Sequence, residues 1–201
     1  MSRVPRPTYH HGNLRAAALE RAAQLAADGG TGALSLRQLA RDLGVSPAAL
    51  YRHFADKDAL LDGLAQRALA ALESAARDAL ARAGGDQADA AESLAALGSG
   101  YLAFASSHPD AFRIVFELRP KAGRDPVEAA PYLLLLEAVT ALAPPGADAA
   151  RVRRAALAAW AFVHGLATLG AQQAWVAGEV AAAAEGLLRD YARGLRVGFP
   201  S

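Results

Sequence analysis

Apolar residues recur three and four apart along most of this chain, and glycines, prolines and capping residues cut that rhythm into segments. Leu14, Ala17, Ala18, Ala22 and Leu25 fall on one helical face, with Asn13 placed to cap it and the glycines of DGGTG at 28–32 to stop it. Ser35, followed three residues later by Gln38, predicts a capping box that opens a short helix from Leu36 to about Leu43. Gly44 closes that helix. Ser46 then caps a third helix with Pro47 at its first position, where no N–H is needed, and the pattern carries it to about Phe54. Asp56 opens a longer helix from Lys57 to about Arg82. GGDQAD at 84–89 is the clear break in mid-chain. Beyond it, helical stretches are expected near 90–106, 109–118, 127–143, 148–176 and 180–196. His108-Pro109, KAGRDP at 121–126 and APPGAD at 143–148 separate them, and no fixed-period repeat is present.

The pattern predicts an all-α protein of about nine helices. It divides into a flexible basic arm (1–12), a three-helix head (13–56), a connecting helix (57–83) and a larger helical bundle (84–201). Composition agrees, since 53% of residues are hydrophobic and the commonest of those is alanine, the best helix former. No apolar run reaches the ~18 residues of a membrane span, and MSRVPRPTYHHGNLR has no secretory apolar core, so no membrane partner and a cytoplasmic location are expected. With no cysteine there is no disulfide, thiolate or Cys-based metal site, and no cofactor or metal is expected. A formal charge of +1 says little as a total. Its distribution says more: residues 1–60 carry eight basic against five acidic side chains.

The chemistry concentrates in GVSPAALYRHF, residues 44–54. Two short helices joined by Gly44-Val45-Ser46 fit a helix-turn-helix. Ala40 is small where the helices would cross, and Gly44 stands where the turn needs positive φ. Val45, Leu50 and Phe54 would face inward with Leu39 and Leu43. A plain helical corner would leave the adjacent Tyr51, Arg52 and His53 unexplained. A first turn of Pro47, Ala48 and Ala49 is bare enough to enter a major groove. Alanine methyls can meet a thymine methyl but cannot make the paired bonds that distinguish guanine, which leaves Arg37 and Arg52 for that task. Arg3 and Arg6 on the arm could enter a minor groove.

LSLRQLARDLGVSPAALYRHFADKDALL resembles the DNA-binding head of the TetR family of transcriptional regulators, and YHHGNLR at 9–15 is similar to the lead-in of many members. The likeness covers about residues 9–64. It implies a DNA-binding regulator, most often a repressor, and not an enzyme. It implies that Tyr51 and Lys57 hold backbone phosphates, with Ser46 capping close to phosphate. Pro47, Ala48, Ala49, Arg52 and His53 take recognition-helix positions, and Arg37 reaches phosphate or a base edge.

Further along, AWAFVHGLATL at 159–169 resembles the Trp-x-x-x-His-Gly signature of one C-terminal domain type of that family, and HPDAFRIVFE at 108–117 is similar to the same members. The family resemblance implies a homodimer through residues 148–196, so that two heads meet a palindrome. Val152, Ala156, Ala159, Val163, Leu166 and Gly170 form one stripe, and Leu187, Leu188, Tyr191 and Leu195 another. Both are assigned here to the dimer surface, with internal core as the alternative. It also implies a small apolar or weakly polar effector, for which Tyr101, Phe104, Phe112, Phe116, Tyr132, Trp160, His164 and Thr168 are the candidate lining. Phe162 and Trp175 are further aromatics, and His108, Arg113, Glu117 and Gln172 further polar groups. Trp160 and His164, four apart, share a helical face. A lone histidine on such a face is first a structural hydrogen-bonding group, and the aromatic residues could equally be core.

Overall fold

The computed structural model describes residues 14–117, 130–172 and 174–199. Among them are nine α-helices, two short 3-10 turns and no strand. The basic arm, the Asn13 cap and the KAGRDP break lie outside the described residues, as do the side chains of Glu117, Gln172 and Trp175. The chain forms two compact units, one up to Gln66 and one from Arg67 onward.

The first unit holds α1 (Leu14–Gly29), a 3-10 turn (Thr31–Ala33), α2 (Leu36–Leu43), α3 (Pro47–Tyr51) and the opening turns of α4 (Lys57–Arg82). Leu19, Leu39, Leu50, Phe54, Leu60 and Leu64 are buried in it. Helices this short cannot stand alone, because nucleation is costly and few bonds follow it. Their ends are therefore decisive. Gly44 adopts φ 67°, the left-handed conformation that ends α2 and turns the chain into α3. The Ser46 hydroxyl accepts the Ala49 N–H at 3.2 Å, and Asp56 Oδ1 accepts the Ala59 N–H at 2.7 Å.

Two expectations for these ends are corrected. The Ser35 side chain makes no capping bond to α2. Gln38, the other half of the expected box, instead donates from Nε2 to Asp42 Oδ1 at 2.7 Å and accepts from Arg41. A charged acceptor one turn on holds the amide better than a backbone N–H behind it. The third helix also ends earlier than its pattern suggested. Tyr51 is its last residue, and Arg52 and His53 lie in the turn that follows, although the Phe54 N–H still reaches the Leu50 carbonyl at 3.0 Å.

The second unit contains the remainder of α4 and α5 (Ala90–Ser107), α6 (Pro109–Glu117), α7 (Ala130–Leu142), α8 (Ala149–Gln172) and α9 (Ala174–Val197). Asp89 opens α5 with a complete capping box, its Oδ1 accepting from the N–H groups of Ala91 and Glu92 while Glu92 Oε2 accepts from the Asp89 N–H at 3.2 Å. Those backbone donors, that of Glu92 first, hold the Asp89 carboxyl below the usual range. The last two helices are described as Ala149–Gln172 and Ala174–Val197, and the expected ends near 176 and 180 fall within the second of these.

The core of this unit corrects the dimer-stripe assignment. Val152, Ala156, Ala159 and Val163 are buried within the single chain, with Leu166 packed against them. Leu188 is 5% exposed, and Tyr191 and Leu195 pack on the same core. Of the two stripes only Leu187, 39% exposed, is largely open. Alanine and valine at helical spacing describe any close helix pair, so the pattern alone could not say which surface they line. Glycine permits two such close approaches. A Cβ at Gly98 would stand 2.5 Å from a Leu188 methyl, and one at Gly100 would stand 2.8 Å from the Ala75 carbonyl oxygen.

Candidate functional site

In the first unit, α3 is anchored by one side and displayed by the other. Leu50 is completely buried, while Ser46, Pro47, Ala48, Tyr51, Arg52 and His53 are exposed. Tyr51 in particular keeps 46% of its surface open, unusual for a ring with a core within reach. Ala49 departs from the expected set. It is buried with Leu50, so its methyl packs into the head and is not offered outward. The outward face of the first turn therefore belongs to Pro47 and Ala48. Arg37 is exposed on the first turn of α2. Backbone N–H groups at a capped N-terminus, a phenol and exposed guanidinium groups are the donors that phosphate oxygens accept.

Lys57 is half-buried at the start of α4, and its Nζ donates to the Gly32 carbonyl at 2.7 Å. Nothing in the local sequence announces that bond, which joins residues 25 positions apart. It orders a long side chain while leaving two of the three ammonium donors for an outside partner. Two other contacts escaped the sequence pattern. Arg21 Nε pairs with Asp42 Oδ2 at 2.9 Å and so ties α1 to α2. The Arg15 guanidinium lies over the Phe54 ring, 5.6 Å from its centre. The i,i+4 spacing of Gln38 and Asp42 and the i,i+3 spacing of Gln38 and Arg41 are local signals that α2 carries a polar network.

In the second unit, six of the eight candidate lining residues converge. Phe112 and Phe116 of α6 lie against His164 of α8, at 5.6 Å stacked and 4.8 Å tilted. Tyr101 of α5 meets Phe112 edge-on at 5.6 Å, and its hydroxyl shares a hydrogen bond with His164 Nδ1 at 2.8 Å. Trp160 continues the cluster to Phe116 at 6.3 Å and to Tyr132 of α7 at 5.8 Å. Burial holds the His164 imidazole below its ordinary range and pushes the Tyr101 hydroxyl well above its own, so neutral forms of both are favoured.

The other two candidates are not brought in. Phe104 is 2% exposed and stacks on His108 at 5.3 Å, as a core residue. Thr168 is half-buried one turn beyond His164, outside the ring contacts. Phe162 belongs to a separate pair with Tyr191, stacked at 4.5 Å. Among the described residues no cluster of three or more potential metal ligands occurs, and no helix is long and apolar enough to cross a membrane.

Comparison with known proteins gives this geometry its context. Residues 18–64 match the family of bacterial regulatory proteins of the tetR type, and residues 94–191 match the tetracyclin repressor-like C-terminal domain. No curated protein sequence matches significantly. Among solved structures, a protein of unknown function from Rhodococcus sp. RHA1 is 32% identical, with 98% of this chain and 100% of that one covered and a TM-score of 0.73. TetR from Acinetobacter baumannii AYE is 25% identical, with 96% and 100% covered and a TM-score of 0.64. A variant of that TetR, solved in complex with minocycline, is 26% identical over the same shares, also with a TM-score of 0.64. With a matched head, a matched body and a similar fold end to end, the chain belongs to the TetR family of bacterial transcriptional regulators, which bind DNA and are not enzymes.

Proposed function

We propose that this regulator is a repressor that binds a palindromic operator as a homodimer and is released by a small-molecule effector. The observation that carries the DNA part is the display of α3 and the turn after it: Leu50 fixed in the core, Ser46 capping, and Pro47, Ala48, Tyr51, Arg52 and His53 exposed. Tyr51, Lys57 and Ser46 serve phosphates, Pro47 and Ala48 meet base edges by contact, and Arg37, Arg52 and His53 are the polar readers. A single head reads only a few base pairs, so affinity for a defined site asks for two heads one helical turn apart.

The dimer surface in this proposal is the exposed face of α8 and α9, not the buried stripes. Leu157 is 57%, Leu169 48% and Leu187 39% exposed. Ala158, Ala161, Ala183 and Gly186 are exposed beside them, and a Cβ at Gly165 or Gly186 would meet nothing within 4 Å. Open apolar surface with small residues suits a close helix pair from a second copy. The aromatic cluster of the body supports effector binding, and the minocycline complex of a related TetR supports a small molecule as the signal. The effector must favour the state that does not bind DNA, and a hundredfold preference corresponds to about 2.7 kcal/mol of coupling. α4, which contributes to both units, is the covalent route for it.

The test is footprinting of the DNA immediately upstream of the gene, followed by titration of the protected site at several salt concentrations. Lys57→Ala and Tyr51→Phe should weaken all sequences alike, with Lys57→Ala lowering the salt slope by about 0.9. Arg37→Ala should relax preference at one guanine. If Arg37→Ala weakens every site equally, Arg37 moves to the phosphate contacts. If no palindrome is protected, the operator reading is lost.

A further inference from the structure

Resting on the effector reading above, we propose that the body takes an uncharged, flat aromatic molecule bearing one hydroxyl, which enters between α6 and His164 and replaces Phe112 on the imidazole face. Tyr101, Phe112, Phe116, Trp160 and His164, from three helices, are each half-buried, so part of each side chain stays open. Phe112 covers His164 at an interplanar angle of 26°, the arrangement a stacked ligand ring would reproduce. α6 is only nine residues long, and Phe112 and Phe116, four apart on one face, are its ring contacts to α8. Exchange of one aromatic face for another conserves most of the contact, which makes α6 the wall most easily moved.

The polar chemistry selects the rest of the molecule. Nδ1 of His164 is engaged by Tyr101 at 2.8 Å, so Nε2 is the remaining polar atom of the imidazole. If Tyr101 donates to Nδ1, Nε2 carries the proton and donates; in the other tautomer Nε2 accepts. A hydroxyl answers both. Among the described residues no charged side chain enters the ring contacts, and Arg113, the cation of α6, pairs with Asp110 of its own helix at 3.5 Å. Burial disfavours the imidazolium, so His164 itself offers no counter-charge to a carboxylate.

Three probes of one ring system test this: 2-naphthol, naphthalene and 2-naphthoate. In a Trp175→Phe background Trp160 is the sole tryptophan of the chain, and its emission reports occupancy of the cluster. At neutral pH, 2-naphthol should bind, with naphthalene and 2-naphthoate each about tenfold weaker or worse. His164→Leu should erase the preference for 2-naphthol over naphthalene. Phe112→Ala should tighten 2-naphthol about threefold, because nothing then has to be displaced, and this variant keeps the test decisive if His164→Leu fails to fold. Silence from all three probes, equal binding of 2-naphthoate, or weakening by Phe112→Ala would overturn the inference. Operator affinity is measured alongside. Binding in the expected order without any change in operator affinity would uphold the ligand site and sink release by effector.

Discussion

The head and the body are both helical, yet they are held together differently. In the head, α2 and α3 have eight and five residues, and single contacts at helix ends fix them and the start of α4: Gly44 in the left-handed region, Ser46 on the Ala49 N–H, Asp56 on the Ala59 N–H. In the body, α8 and α9 run 24 residues each and pack through small side chains, with glycines where α5 comes closest to its neighbours. A short, capped assembly fixes the outward residues of α3 within a turn or so of their anchors. A long, broadly packed one can shift a wall such as α6 without losing its core. The first suits a surface that must match DNA in register, the second a site that must respond.

The largest effect that can divide the two is a core deletion in the head. Phe54 is 1% exposed, and Phe54→Ala should cost about 3–5 kcal/mol. Both tryptophans, Trp160 and Trp175, lie in the body, so their emission is blind to the head. During urea unfolding, far-UV ellipticity should begin to fall at lower denaturant while the emission transition moves less. Coincident transitions would mean that the units unfold as one and that the contrast drawn above fails.

The body's close approaches give the next effect. A Cβ at Gly100 meets a backbone oxygen that cannot step aside, so Gly100→Ala should destabilise by roughly 1–3 kcal/mol. Gly165 on the same criterion faces open space in a single chain. Gly165→Ala should stabilise the monomer by about 0.5–1 kcal/mol through helix propensity. If it also weakens self-association, measured by sedimentation, a second copy approaches closely there. If it strengthens both, the dimer surface lies elsewhere.

These residues also show what was legible in advance. The head could be read almost to the residue because its signals are local: a cap, a proline and a glycine each act on bonds a few residues away, and α4 begins and ends where the pattern put it. The misses there arose from competition that spacing does not reveal. Gln38 had a carboxylate within reach, and Ala49 sits beside Leu50 on the buried side of a helix too short to average its faces. In the body, element existence was readable but partnership was not. Val152, Ala156 and Ala159 suit an internal core and a dimer seam equally well, and only tertiary packing assigns them to the former. The aromatic cluster was named but not sorted. Phe104 and Phe112 look alike in sequence, and the α5–α6 corner sends one to His108 and the other to His164.

Capping itself offers a smaller and sharper comparison. Ser46 and Ser35 both precede helices, but only Ser46 makes the side-chain bond. Ser46→Ala should cost about 1 kcal/mol in the free protein and Ser35→Ala close to nothing, both measured by urea titration. Equal losses would mean that Ser35 forms its cap in solution and that the Gln38–Asp42 bond does not compete with it.

The smallest effect belongs to the body, and its sign is fixed by burial. Desolvation lowers the His164 pKa from its ordinary 6.5, so the folded body binds the proton less readily than the unfolded chain. Above about pH 6.5 both states are neutral at this position and the contribution is fully present. As pH falls below that value the unfolded chain protonates first and stability declines, and the decline ends once pH has passed the folded pKa. The lowered carboxyls of Asp89 and Asp148 titrate below their ordinary 3.8 and stay clear of this window. Urea midpoints followed by tryptophan emission should therefore drift down between about pH 7 and pH 5 in the wild type, and the part of that drift due to His164 should vanish in His164→Leu. A drift of the opposite sign would mean that a carboxylate or another acceptor reaches the ring in solution, and the seam between α6 and α8 would then favour a cationic visitor over a neutral one.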